Sequence, residues 1–464
     1  MSHRLVVVSN RVGPVNESAR AGGLAVALVE ALRSSGGLWF GWSGEISEAG
    51  IGEPKIEEHG PLSVATIDLS EEDNEEYYKG FANRTLWPLF HYRIDLTTYD
   101  RYNYRGYLRV NSNFAKAIFP LLSDDDLIWV HDYHLLSFGA ELRRMGCTQP
   151  MGFFLHIPFP APEVFTTLPN HEAIIRAMCA YDIIGFQTEG DRRCFVNYIV
   201  NELGGTELDD ERVLAFGRTL VAAAIPIGID TQNFEKFATS REATLHLNRM
   251  KNVLGDRLQV IGVDRLDYTK GLPQRFEAFE RLLADYPENR GRTSFVQIAP
   301  PSREDVAEYI DIREQLEQMA GNINGQYSDY DWTPLRYLNR GFSRQALAGM
   351  YRASRVGLVT PLRDGMNLVA KEYIAAQSED DPGVLVLSRF AGAAKQADGA
   401  LIVNPYDIYA VAEALQTALN MPFDERLERR NRMMDRMRRE DVAAWRNDFI
   451  GRLEAVATAT RSGG

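Results

Sequence analysis

Residues 357–372 read GLVTPLRDGMNLVAKE, and the parsing of this stretch decides the fold. The short apolar run 357–360 has the make-up of a buried parallel strand. Pro361-Leu362-Arg363-Asp364-Gly365 breaks it before a helical pattern begins. Strand, tight loop and helix start follow one another, and the unpaired N–H groups of a first helical turn, with the helix dipole behind them, favour an anion. Glu372 lies four residues after Leu368, on the same helix face. One end of the element suits a phosphate, and the carboxylate one turn on suits two hydroxyls such as a nucleotide ribose offers. The same residues also make a plain strand-to-helix turn with Asp364 as its cap, and the stretch alone leaves both readings open.

Working outward, the strand-then-polar pattern recurs on both sides. In the second half, residues 260–263 run into Asp264-Arg265-Leu266-Asp267-Tyr268-Thr269-Lys270-Gly271, and 295–298 into Ala299-Pro300-Pro301-Ser302-Arg303. Residues 384–387 and 401–403 end in Ser388-Arg389 and Asn404-Pro405. In the first half, 5–9 (LVVVS) ends in Asn10-Arg11, 127–130 (LIWV) in His131-Asp132-Tyr133-His134, 152–155 at His156 and 183–186 at Gln187. Ligands of open parallel sheets bind outside the carboxyl ends of the strands. Two such series predict an α/β protein of two Rossmann-like domains facing across a cleft, residues 1–230 and 231–464.

The connecting segments are less regular. Ala21-Gly22-Gly23-Leu24 opens an amphipathic helix to about Arg33, and 36–60, rich in Gly, Ser and Glu, reads as turns and short hairpins. Ser70-Glu71-Glu72-Asp73 has the form of a helix N-terminus and leads into an aromatic-rich region containing Tyr77, Tyr78, Trp87 and Phe90. Residues 231–251 are helical without a clear start. The arginines of 426–446 alternate with acids and read as a solvated helix face, with Trp445, Phe449, Ile450 and Leu453 as an apolar side for docking. Residues 458–464 read as frayed.

A net charge of −13 argues against a general nucleic-acid or anionic-membrane surface, so an anionic ligand must be met by local arginines and lysines. Cys147, Cys179 and Cys194 show no C-x-x-C pairing, which fits a reducing compartment without structural zinc. No stretch reaches about eighteen uninterrupted apolar residues, so a cytoplasmic protein is expected. His131-x-x-His134 reads as a hydrogen-bonding cluster rather than a metal site, and Asp329-Tyr330-Asp331-Trp332-Thr333 as a loop rather than a phosphatase motif, because no apolar strand precedes it. No G-x-G-x-x-G follows the first strand, and there is neither a P-loop nor a G-x-S-x-G elbow.

With Arg265, Lys270 and 364–372 in hand, the chain resembles the retaining glycosyltransferases of the two-domain GT-B fold. Along most of its length it is similar to the bacterial trehalose-6-phosphate synthases, through SNRV, AGGLAV, GGLWFGWSGE, LWPLFHYR, HDYHLL, GFFLHIPFP, GFQTE, IPIGID, VDRLDYTKGLP, QIAPPSR, GLVTPLRDGMNLVAKEY and LIVNPYD, which span positions 9–407. The resemblance implies transfer of glucose from UDP-glucose, with retention, to glucose-6-phosphate, and a C-terminal helix that packs back toward the N-terminal domain. It implies that Gly22 and Gly23 close on the donor diphosphate and that Arg265 and Lys270 neutralise the charge growing on it. Phe342 joins the donor contacts; Asp364 and the N–H groups of Gly365, Met366 and Asn367 hold donor hydroxyls, those of Leu368 and Val369 the phosphates, and Glu372 the ribose. Arg11, Tyr78 and Arg303 grip the acceptor phosphate, Asp132 and Trp87 lie near its ring, and His156 sits beside the donor glucose. His156, Arg265, Lys270 and Asp364 are thus the catalytic candidates, with no metal or other cofactor expected.

Two rivals stand beside this reading. One is a sister transferase using GDP- or ADP-glucose, or glycerol-3-phosphate as acceptor; the other is a catalytically silent sugar-phosphate sensor. A separate trehalose-6-phosphate phosphatase is a further expectation, since the chain stops soon after its second domain, and a homo-oligomer is another.

Overall fold

The computed structural model describes residues 3–13, 32, 36–48, 50–209, 211–302 and 307–462. The chain divides into two compact units, Met1–Pro226 together with Ala443–Gly464, and Ile227–Val442.

In the first unit the described residues form one sheet. Its strands are β1 (Arg4–Arg11), β2 (Gly37–Ile46), β3 (Lys55–His59), β4 (Leu62–Leu69), β5 (Asp126–His131), β6 (Met151–Phe154), β7 (Ile183–Phe186), β8 (Thr206–Glu207), β9 (Arg212–Ala215) and β10 (Arg218–Ala224). Their spatial order is β3-β4-β2-β1-β5-β6-β7-β10-β9-β8. The run from β4 to β10 is parallel, and β3, β9 and β8 are antiparallel additions at the two edges. Val6, Val7 and Val8 are wholly buried, as a β-branched run covered on both faces should be. From β1 the chain winds outward one way through β2 and β4, and from β5 the other way through β6 and β7. The switch point therefore lies between β1 and β5, where Ser9 pairs with His131.

The second unit repeats the plan with β11 (Leu258–Val263), β12 (Thr293–Ile298), β13 (Leu335–Leu338), β14 (Val356–Val359), β15 (Val384–Ser388) and β16 (Leu401–Val403). The order β13-β12-β11-β14-β15-β16, parallel throughout, is the doubly wound arrangement, and its switch point lies between β11 and β14. The opening stretch of the sequence reading is thus one side of that switch point.

Several expectations need correction. Residues 36–60 are not only turns: GLWFGWSGEI is β2, beside the central strand, because its Leu38-Trp39-Phe40 run is buried on the sheet despite the flanking glycines. Residues 231–251 do carry start signals, since Asp230 accepts from Asn233 N at 2.9 Å and Ser240 from Ala243 N at 3.2 Å, opening two helices, Thr231–Ala238 and Arg241–Leu254. On the helix Phe423–Arg439, Arg426 and Arg430 are buried rather than solvated, tied to Asp381 at 2.7 Å and Glu379 at 2.8 Å. Of the residues read as frayed, 458–462 continue a helix, Val442–Ser462, and 463–464 lie outside the described residues.

The domain limits also shift. The first unit ends at Pro226 rather than 230, and Ala443–Gly464, assigned by sequence to the second domain, belongs to the first. The reason is the apolar side of that helix: Trp445 and Phe449 lie 4.9 and 4.7 Å from Trp129 of β5, ring centre to ring centre. Gly152 of β6 makes the seat, because a Cβ there would come within 2.5 Å of the Phe449 ring. Burying a side chain of this size contributes about 1.5–3 kcal/mol.

Candidate functional site

In the second unit, the loops after β11 and β14 meet. Lys270 Nζ donates to Asp364 Oδ2 at 2.5 Å, and both side chains are largely buried. Asn367 Nδ2 donates to the same carboxylate oxygen at 3.1 Å. Asn367, at φ +76°, is the cap of the helix Leu368–Ala376, its Oδ1 accepting from Ala370 N at 3.2 Å. Asp364 is therefore not the cap, which resolves the ambiguity left by the sequence and keeps its carboxylate for Lys270. Ala370 N is satisfied by the cap, while the N–H groups of Leu368 and Val369, in the first turn, have no intrahelical acceptor. The loop itself is fixed by backbone hydrogen bonds: Asp364 N to Phe390 O, Gly392 N to Asp364 O and Ala393 N to Met366 O, at 2.8–3.1 Å. Leu362 N to Thr269 O, 2.8 Å, joins it to the β11 loop.

Arg265 is about half exposed, 3.5 Å from Asp267, which is itself fully buried and accepts from Thr269 N and Thr269 Oγ1. One helical turn along from the Leu368 amide, Glu372 accepts from Arg344 Nη2 at 3.1 Å. Burial holds this carboxyl above its ordinary pKa, with Arg344 opposing the shift. Arg344, at the start of the helix Arg344–Arg352, was not singled out from sequence; no local motif announces a partner 28 residues away. Phe342 lies under Arg340, 4.8 Å from its Cζ, and borders an apolar groove of about 200 Å³ with Val296, Leu338 and Met350.

In the first unit, Arg11 ends β1, its guanidinium 5.7 Å from the Trp42 ring centre and packed over Gly44, where a Cβ would clash with it. Trp42 is edge-on to Tyr78 at 5.5 Å, and Tyr78 stacks on His134 at 5.9 Å. Tyr78 rides on a π-helical run, Asn74–Leu86, that starts after the Ser70 cap and hands its last hydrogen bond from Trp87 N to Ala82 O. The extra residue per turn is invisible to helical periodicity, and π segments concentrate at functional sites. Trp87 is buried between His91 and Tyr133, at 4.2 and 5.7 Å.

Asp132 follows β5 with φ +75° and ψ 165°, backbone territory that is nearly glycine's alone. It is held there by Asp132 N donating to Phe154 O at 2.8 Å, and its Oδ1 accepts from His156 N at 3.3 Å. His156 Nε2 and His131 Nδ1 are 3.0 Å apart, so one donates to the other, and Gln187 Nε2 stands 3.4 Å from His156 Nδ1. Burial pushes His156 down to about 3, leaving a neutral imidazole at physiological pH. His131, likewise depressed by burial and by His156, was read only as part of a polar cluster; its role as the partner of His156 needed the strand register to be seen.

Gly22, Gly23 and Arg303 lie outside the described residues. Among the described residues, no group of three or more His, Cys, Asp or Glu side chains could hold a metal ion, and no helix is long and apolar enough to cross a membrane.

The model of glycosyltransferase family 20 matches residues 3–455. The chain belongs to glycosyltransferase family 20. The trehalose-6-phosphate synthase of Klebsiella pneumoniae is 50% identical over 455 residues, 98% of this family-20 chain and 96% of that one. A crystal structure of a UDP-forming α,α-trehalose-phosphate synthase from Burkholderia xenovorans in complex with glucose-6-phosphate is 51% identical, with TM-score 0.93 and coverage of 97% of this chain and 100% of the other. The E. coli protein bound with UDP-2-fluoro glucose is 49% identical, with TM-score 0.93 and coverage of 97% and 98%. Two Rossmann-like domains of the GT-B class, expected from the sequence, agree with these likenesses.

Proposed function

We infer that this chain is a UDP-forming α,α-trehalose-phosphate synthase, transferring glucose from UDP-glucose to the anomeric oxygen of glucose-6-phosphate with retention. The observation that carries the reading is the Lys270–Asp364–Asn367 constellation at the β11/β14 switch point, next to the open first turn of the helix Leu368–Ala376. About half identity along nearly the whole chain to trehalose-6-phosphate synthases, and to solved structures of UDP-forming α,α-trehalose-phosphate synthases, supports it.

The donor falls to the second unit. The N–H groups of Leu368 and Val369 take phosphate oxygens, while Glu372, oriented by Arg344, accepts ribose hydroxyls. Arg265 and Lys270 meet the negative charge that develops on the departing diphosphate, an interaction strongest in the transition state. Asp364, fixed by Lys270 and Asn367, orients donor hydroxyls, and Phe342 keeps the donor contact that the resemblance assigns to it. The acceptor falls to the first unit, with Arg11 and Tyr78 for its phosphate and Trp87 and Asp132 for its ring. His156, neutral and tied to His131, serves as a hydrogen-bonding group to the donor sugar rather than as an acid. Gly22, Gly23 and Arg303 keep the donor and acceptor roles that the resemblance assigns to them.

The proposed chemistry is a same-face substitution. The bond from the glucosyl anomeric carbon to the diphosphate oxygen breaks, the acceptor's anomeric oxygen bonds to that carbon, and its proton passes to the departing phosphate oxygen. The protein contributes orientation and charge stabilisation. We read the reaction as metal-independent, with two basic side chains and a helix start in the place a cation would take. The protein is read as cytoplasmic, supported by three cysteines of which none is in a disulfide. Removal of the product's phosphate is left to a separate phosphatase, and assembly as a homo-oligomer remains part of the same reading.

The test is turnover of UDP-, GDP- and ADP-glucose with glucose-6-phosphate, the product identified by NMR. The expected result is an α,α-linked disaccharide phosphate with UDP-glucose preferred, undiminished by excess EDTA. No turnover with any donor overturns the reading in favour of a sugar-phosphate sensor, and loss in EDTA restored by Mg²⁺ overturns metal independence.

A further inference from the structure

Arg275, on the helix Leu272–Asp285, has no solvent exposure, although the residues around it on that face are Leu272, Phe276, Phe279 and Leu282. Its guanidinium is spent on three strand ends and one loop carbonyl. Nη1 donates to Asp264 Oδ2 at 2.7 Å and Gln297 Oε1 at 2.9 Å, and Nε to Thr360 Oγ1 at 3.1 Å. Nη2 donates to the carbonyl of Lys270 at 3.4 Å. Asp264 and Thr360 directly follow β11 and β14, the two strands of the switch point, and Gln297 is the penultimate residue of β12.

The sequence makes room for this fork. Gly262 is the penultimate residue of buried β11, where a Cβ would lie 2.7 Å from Arg275 Nη1 and 2.4 Å from Gln297 Oε1. A β-branched residue would otherwise suit that position. Burying an ion pair gives little net stability, and a well-packed apolar replacement often does as well or better. Burial also holds the Asp264 carboxyl above its ordinary range, with Arg275 opposing, so the arrangement is costly to keep. A purely structural account therefore explains Arg275 poorly, whereas a geometric one explains why four acceptors on three strands and one loop converge on it.

We propose that Arg275 is a positioning residue for the transfer reaction, clamping the carboxyl ends of β11, β12 and β14 together with the Lys270 backbone so that Lys270 and Asp364 stand fixed toward the donor. The inference rests on the donor role given to Lys270. Arg275 acts through Lys270 and touches no substrate.

The test is a double-mutant cycle of Arg275→Lys and Lys270→Ala, with kcat, both KM values and thermal unfolding measured for all four proteins. Lysine keeps the charge but cannot make the fork. Arg275→Lys alone is expected to lower kcat about tenfold or more while leaving KM for glucose-6-phosphate within about twofold, and to change kcat by less than about twofold when Lys270 is already alanine. Equal losses in both backgrounds would mean general loosening or a smaller folded fraction, and overturn the proposal. Lys270→Ala with unaltered kcat removes the donor reading itself, and this inference with it. If Arg275→Lys does not fold, Thr360→Val, which deletes only the Nε acceptor, carries the same cycle, with a smaller non-additive loss expected and an additive one overturning the proposal.

Discussion

Lys270 Nζ stands 2.5 Å from Asp364 Oδ2 across 94 residues of sequence, joining the loops that leave the two neighbouring strands where the second sheet reverses its winding. A buried cation paired with a single carboxylate, beside a helix start, is the arrangement that a departing diphosphate can engage without moving the charge that stabilises it.

Replacing Lys270 by alanine should therefore lower kcat about 10²–10³-fold, the usual cost of deleting one group aimed at developing charge. KM for glucose-6-phosphate should hardly move. Steady-state kinetics with each substrate varied decides it; a variant with normal kcat removes Lys270 from the leaving-group role.

His156 gives a pH signature. Its pKa is pushed down by burial to about 3, from an ordinary 6.5. The unfolded chain thus takes up the proton first as pH falls, so the stability tied to neutral His156 is complete above pH 6.5 and is lost as pH drops toward 3. His156→Gln should show a shallower fall of Tm over that window than the wild type. Parallel curves would mean that His156 is solvated in the folded protein.

Lys371, the residue before Glu372, is buried and donates to Ile227 O and Gln396 Oε1, both at 2.7 Å. Burial lowers its pKa from 10.5 to about 7, with Glu440 opposing. Between those two values the unfolded chain binds the extra proton, so stability rises with pH from about 7 to 10.5. The Tm difference between wild type and Lys371→Met should widen in the wild type's favour as pH is raised across this range. A constant difference would place the ammonium in water.

The helix Val442–Ser462 can be tested through its seat on the first unit. Phe449→Ala should cost about 3–5 kcal/mol, as deletion of a buried aromatic does. Gly152→Ala, which pushes a methyl against the same ring, should cost about 1–3 kcal/mol. Chemical denaturation measures both; neutral substitutions would mean that the helix is not docked through Phe449.

Part of the candidate site was legible because the ends of buried parallel strands announce themselves: an apolar run must stop, Arg11 and Asp132 stand where it stops, and His156, Lys270 and Asp364 lie in the loops that follow. The glycine-rich β2 was misread since local composition outweighed its short apolar run, and the π-helical turn carrying Tyr78 leaves no mark on a 3.6-residue period. The buried arginines 426 and 430 looked solvated because alternating charge says nothing about partners such as Asp381 and Glu379 on a distant loop.

By itself, then, the sequence determined two parallel α/β sheets, the residues at their carboxyl ends and the family likeness, all consequences of local hydrophobic patterning and contiguous motifs. Only the tertiary structure decided that Asn367 rather than Asp364 caps the helix, that Asp364 belongs to Lys270, that His131 meets His156, that Arg275 lies beneath β11, β12 and β14, and that the last helix returns to the first unit. Each of these is a choice of partner among chemically equivalent groups, and charge, hydrogen-bonding capacity and apolar surface can be read from a residue, whereas the neighbour that satisfies them is fixed by strand order and register.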